Sequence, residues 1–188
     1  MARALSSASP SFAAQPPGRP QSPVSPVGAA VPEQPPAELL LHATAIAVAG
    51  KAMLFRGPSG SGKSDLELRC LAQAPCPLVQ NSAAVLISDD QCHVTKTDTD
   101  QLIVSAPEPL KGLIEVRGVG ICRAPHDAQA RVRLLIDLTS ETPERLPPEP
   151  METETLLGIA VPRTQLCPHY PSSAIKALLL LAAVTCRS

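Results

Sequence analysis

The chain has 188 residues, one domain's worth at about 100–200 residues per domain, with a net charge of −1 and 44% hydrophobic residues. That apolar content excludes a chain disordered throughout, and near-neutral charge without a basic block argues against a nucleic-acid binder that works by phosphate neutralisation. Aromatic residues make up only 2% and Trp is absent, which argues equally against base stacking on aromatic platforms.

No run reaches the roughly 18 consecutive apolar residues of a membrane-spanning helix, so no membrane partner is expected. The cysteines at 70, 76, 92, 122, 167 and 186 include no CxxC pair and no zinc-site spacing. Nothing like a signal peptide precedes them, so reduced thiols in a cytoplasmic protein are expected.

Residues 1–37 are rich in Pro, Ser and Ala; nine of the chain's 22 prolines fall before residue 37, and the first acid is Glu33. A stretch that buries so little apolar surface cannot offset its ordering entropy, and it is expected to be a disordered tail. Organellar transit peptides and translated upstream GC-rich DNA share this composition. The folded domain is expected over 38–188.

Leu40, His42, Thr44, Ile46 and Val48 alternate at period two and predict a strand. Ala49-Gly50-Lys51 predicts a tight turn and Ala52–Arg56 a second strand. After a glycine-rich loop, Lys63–Gln73 favours helix. Ala84–Ser88 reads as a buried strand delivering Asp89 and Asp90 at its carboxyl end. His93–Lys96 and Gln101–Ser105 predict a hairpin, and Arg131–Leu138 another strand. Residues 139–153, rich in Pro and Glu, predict a mobile loop. Ser172–Thr185 predicts a closing helix with serine at its start.

Gly57-Pro58-Ser59-Gly60-Ser61-Gly62-Lys63-Ser64 matches the phosphate-binding pattern G-x-x-x-x-G-K-[ST] between a predicted strand and a predicted helix. Its glycines let successive N–H groups wrap phosphate oxygens, and the helix N-terminus adds its positive dipole end. Lys63 would neutralise the β- and γ-phosphates of ATP, and the Ser64 hydroxyl would ligate Mg²⁺. Asp89-Asp90 stands where such proteins place a functional acid, and adjacent carboxylates near a nucleotide repel, which can suit one of them to proton transfer. On their own, Leu113–Gly120 reads as a core strand ending in a turn, His42 as a strand residue and Arg145 as surface charge.

Together, His42, the loop beginning fifteen residues on, the Asp89-Asp90 pair and Glu115-Val116-Arg117-Gly118-Val119-Gly120-Ile121 resemble the catalytic domain of the HPr kinase/phosphorylase family. The last stretch is the specific part. Ala106–Leu110 also resembles the family's segment just before it. The resemblance spans about 39–185 and points to the short, single-domain type. It implies an α/β fold, a mostly parallel or mixed P-loop sheet with covering helices, and a homohexamer.

It further implies that Asp90 takes the proton from a seryl hydroxyl of the phosphocarrier HPr, or returns it in reverse, with His42 tuning its charge. Ser64 and Glu115 would hold Mg²⁺, while Lys63 and the loop amides hold phosphates. Arg145, among Pro143, Pro147, Pro148 and Pro150, matches a mobile Asp-Arg-Leu segment and would stabilise the transferring phosphoryl group. Where long members carry Pro-x-Arg-Pro-Gly-Arg-Asn, this chain has Pro168–Ala174 with neither arginine nor asparagine. The kinase direction is therefore expected over the phosphorylase one. Competing readings are a P-loop kinase for a small molecule, which predicts a lid and a metabolite pocket, and a nucleotide-binding regulatory module that transfers nothing.

Overall fold

The computed structural model describes residues 38–79 and 81–186, so the expected disordered tail lies outside the described residues. The strand expected across His42 is two strands, β1 (Glu38–Leu41) and β2 (Thr44–Val48), and His42 falls in the break between them. The predicted turn follows as a two-residue reversal at Ala49 and Gly50, both at positive φ (49° and 72°), into β3 (Lys51–Arg56). Two successive positive φ values match the right-handed twist of a hairpin. Helix α1 (Lys63–Leu71) starts at the glycine-rich loop, and β4 (Ala84–Ser88) leads to the two aspartates.

The predicted hairpin is β5 (Cys92–Lys96) and β6 (Leu102–Ser105). The expected single strand after residue 112 is itself a hairpin, β7 (Leu113–Val116) with β8 (Gly120–Arg123), forming a separate two-stranded sheet. Strand β9 (Gln129–Leu138) is the longest. After the 139–152 loop comes an unanticipated hairpin, β10 (Thr153–Leu156) with β11 (Ile159–Leu166), then helix α2 (Ser173–Cys186). Ser173 is buried, and its hydroxyl donates to the Cys167 carbonyl at 2.7 Å.

The main sheet has nine strands in the path β1-β5-β6-β9-β3-β2-β4, with β11 on β9 and β10 on β11. It is mixed, and not mostly parallel: only β3–β9 and β9–β11 run parallel. The reason is connectivity. Short turns and loops join neighbouring strands as hairpins, and only long crossovers return a chain parallel.

One face carries Ile46, Met53, Phe55, Leu134 and Ile136, packed under Leu66 and Cys70 of α1 and Leu178 and Leu181 of α2. The alternate residues, Ala45, Ala47, Ala52, Leu54 and Leu135, meet Val94, Leu102, Val104, Leu156 and Val161 as the sheet curls over. Strand β2 is therefore buried at every residue, which explains its unbroken small and apolar sequence. All six cysteines are free thiols. Among the described residues no helix is long and apolar enough to cross a membrane.

Candidate active site

The loop Gly57–Ser64 joins the carboxyl end of β3 to the first turn of α1, the strand–loop–helix setting its motif requires. Gly62 sits at φ 93°, and a Cβ there would come within 3.2 Å of Pro168; at Gly57 a Cβ would meet the Ser61 hydroxyl at 2.6 Å. Glycine is needed at both. The Ser61 Oγ is buried and, among the described residues, meets no hydrogen-bond partner. Lys63 is 5% exposed, and its ammonium donates to the carbonyls of Gly57 (3.0 Å) and Pro58 (3.3 Å) under the loop. An orphaned hydroxyl, a cradle that Cβ atoms would fill and a buried cation in one loop fit the phosphates of a nucleotide.

The segment 168–170 is held against this loop by Arg69 of α1. Its guanidinium donates to the carbonyls of Pro168 (2.5 Å) and Tyr170 (3.0 Å) and pairs with Asp65 at 2.7 Å. A cation was missing from this segment in the sequence, and His169 is the titratable residue it brings toward Gly62.

A second group of residues gathers at the carboxyl end of β4. Asp89 accepts from the Thr44 hydroxyl of β2 (3.3 Å) and from the Glu115 backbone N–H of β7 (3.2 Å). Asp90 is exposed and has φ 62°, a left-handed conformation that turns the chain sharply into β5. His42 Nδ1–H donates to the Asp90 carbonyl at 2.9 Å. A carbonyl only accepts, so this bond leaves the lone pair of the neutral ring on Nε2. The structure thus brings His42, Asp89, Asp90 and Glu115 together, and α1 packs on β2, β4 and β7 above them.

Arg145 lies elsewhere. It is exposed in the 139–152 loop and lines a cleft of about 800 Å³ with Arg163, Tyr170, Lys176 and Leu179; no residue of the glycine-rich loop or the acid pair lines that cleft.

Several residues of the site are absent from the sequence reading. Glu67, on α1 one turn beyond Lys63, is fully buried; burial first, then the negative charge of Asp89 and Asp90, pushes its carboxyl up to about 10. Arg56, immediately before Gly57, pairs with Asp137 of β9 (2.8 Å) and Glu154 of β10 (2.5 Å), and Arg163 takes the other Asp137 oxygen at 2.5 Å. These bonds hold the Arg56 guanidinium above its usual range and the Glu154 carboxyl below its own. The signal for Asp137 was an apolar run, Leu134-Leu135-Ile136, closed by an acid.

Among the described residues no three acids, histidines or cysteines converge to hold a metal ion. Magnesium takes most of its ligands from water and substrate phosphates, so a protein need supply no more than a hydroxyl and one carboxylate.

Comparison with known proteins bears on the family and the fold. The family described as HPr Serine kinase C-terminal domain matches residues 36–186. The HPr kinase/phosphorylase of Geobacillus thermodenitrificans is 31% identical over 163 residues, covering 78% of this chain and 48% of that protein. The HPr kinase/phosphorylase of Azoarcus is 30% identical, covering 80% and 48%. The chain thus spans about half the length of the curated relatives it matches. The Hpr(Ser) kinase/phosphatase structure from Coxiella burnetii superposes with a TM-score of 0.61 at 26% identity, covering 80% of this chain and 99% of that one. The chain belongs to the family of HPr serine kinase C-terminal domains.

Proposed function

We propose that the domain, residues 38–188, is an ATP- and Mg²⁺-dependent protein-serine kinase acting on an HPr-type phosphocarrier. The observation that carries this is the acid pair at the end of β4. Binding a nucleotide needs the glycine-rich loop alone, whereas an exposed Asp90 anchored by His42 serves proton transfer.

In this reading Asp90 takes the seryl proton as the seryl oxygen bonds to the γ-phosphorus and the bond to the departing ADP oxygen breaks. His42 fixes the Asp90 backbone through its carbonyl. The loop amides, the Ser61 hydroxyl and Lys63 hold the phosphates in line, which supplies most of what phosphoryl transfer requires. Magnesium, held by Ser64 and Glu115, would offset charge on the phosphates. Arg145 lies on a loop rooted beside Asp137 and Glu154, and reaches the transferring group only if that loop swings toward Gly57. The kinase direction is the one assigned, because segment 168–174 offers no arginine to bind free phosphate. Self-association, a hexamer by resemblance, draws support from Val119 and Ile121, each 74% exposed around the β7–β8 turn.

The test is the intact mass of a candidate HPr after incubation with the protein, ATP and Mg²⁺. A seryl phosphate that appears with the unmodified chain and not with Asp90→Asn is expected. ATP binding with no acceptor modified would refute the assignment and leave a nucleotide-binding module or a small-molecule kinase.

A further inference from the structure

Glu67 has no role in the account above, yet its placement is unusual. Its side chain is 0% exposed, and among the described residues neither carboxyl oxygen meets a donor. An ionised carboxylate so placed would bear the full cost of desolvation with nothing in return. The groups that act on it are the carboxyls of Asp89 and Asp90, both of its own sign. Protonated, Glu67 gains one O–H donor, and Asp89 is the acceptor within its reach.

Asp89 receives two other donors, the Thr44 hydroxyl at 3.3 Å and the Glu115 N–H at 3.2 Å. Both are long, and a carboxylate has lone pairs for about four. We propose that Glu67 is a positioning residue, donating its carboxyl O–H to Asp89 so that one carboxylate is gripped from α1, β2 and β7 at once. The grip fixes the turn that presents Asp90, and it fixes the backbone of Glu115. Because α1 begins at Lys63 and Ser64, the same bond ties the phosphate-binding end of the helix to the acid pair. The effect on rate rests on the reading of Asp90 as the base; the hydrogen bond itself does not.

The experiment compares Glu67→Leu with Glu67→Gln in the full chain. Leucine fills the apolar site without a donor, and glutamine keeps a neutral one. Glu67→Leu is expected to lower kcat for HPr phosphorylation by about tenfold to a hundredfold, the worth of a hydrogen bond to a charged group, with the KM for ATP little changed. Glu67→Gln is expected to restore most of that loss. Amide exchange of Glu115, followed by NMR without any acceptor protein, is expected to quicken by about tenfold in Glu67→Leu and to stay near the unmodified rate in Glu67→Gln.

If Glu67→Leu keeps both its rate and its Glu115 protection, or if Glu67→Gln loses as much as Glu67→Leu, the proposal is overturned. Should the unmodified chain phosphorylate no HPr, the kinase reading fails, and the exchange measurement decides the hydrogen bond by itself.

Discussion

A carboxyl group that holds its proton in the folded state and releases it when unfolded makes stability depend on pH, and Glu67 is such a group. Burial and two negative neighbours raise it from an unfolded value near 4.5 to about 10. The folded protein therefore binds this proton more tightly than the unfolded chain does. Its contribution is fully present below about pH 4.5 and is lost progressively as the pH rises toward 10. Within that window each pH unit costs the general linkage slope of about 1.4 kcal/mol, so roughly 3 kcal/mol is lost between pH 6 and pH 8. For a domain of this size that is a fall of roughly 5–10 °C in Tm.

Glu67→Gln isolates this contribution because an amide has no proton to lose. With no Trp in the chain, urea transitions at pH 6, 7 and 8 would be followed by circular dichroism. The stability of Glu67→Gln relative to the unmodified protein is expected to rise by roughly 3 kcal/mol across the series. A difference that stays flat would show that Glu67 is ionised in the fold, and the reasoning from burial would fail.

Three further outcomes follow from the geometry. Asp137→Ala strips two guanidinium groups of a shared, four-fifths-buried partner, and urea unfolding should show a loss of about 2 kcal/mol, with a smaller effect in an Arg56→Ala background. Gly62→Ala places a methyl 3.2 Å from Pro168 at a φ of 93°; calorimetric titration with ATP should show affinity lowered by about tenfold or more. Gly112→Ala drives a methyl within 2.5 Å of the His126 ring at φ 69°, and a thermal melt should show destabilisation of about 2 kcal/mol.

The glycine-rich loop and Asp89-Asp90 were legible because their chemistry is local: each needs only the strand before it and the turn after it. Other features depend on partners far along the chain. His42 alternates with its neighbours as a strand residue would, but β1 pairs with β5 while β2 pairs with β3 and β4, and the chain breaks where the partners change. The β10–β11 hairpin carries Pro162, which argues against a strand, and turns at Leu157 and Gly158, where a leucine takes φ 49°. Glu67 was more accessible. Lys63, Leu66, Glu67 and Cys70 fall on the inward stripe of α1, and that spacing would have placed an acid in the core.

Strand β9 also dictates when the fold can exist. It is the only described link from the β1-β5-β6 wing to β3, and the pairing closes over a long separation, with Arg56 and Asp137 81 residues apart. A growing polypeptide that has reached residue 128 therefore carries β3 and β6 with open edges, rich in Met53, Leu54, Phe55, Ile103 and Val104 and able to pair with any other strand. At about 5–20 residues per second the exposure lasts until the ten residues of β9 have left the ribosome, so aggregation during synthesis, and not instability of the finished domain, is the hazard that truncations before residue 138 would bring.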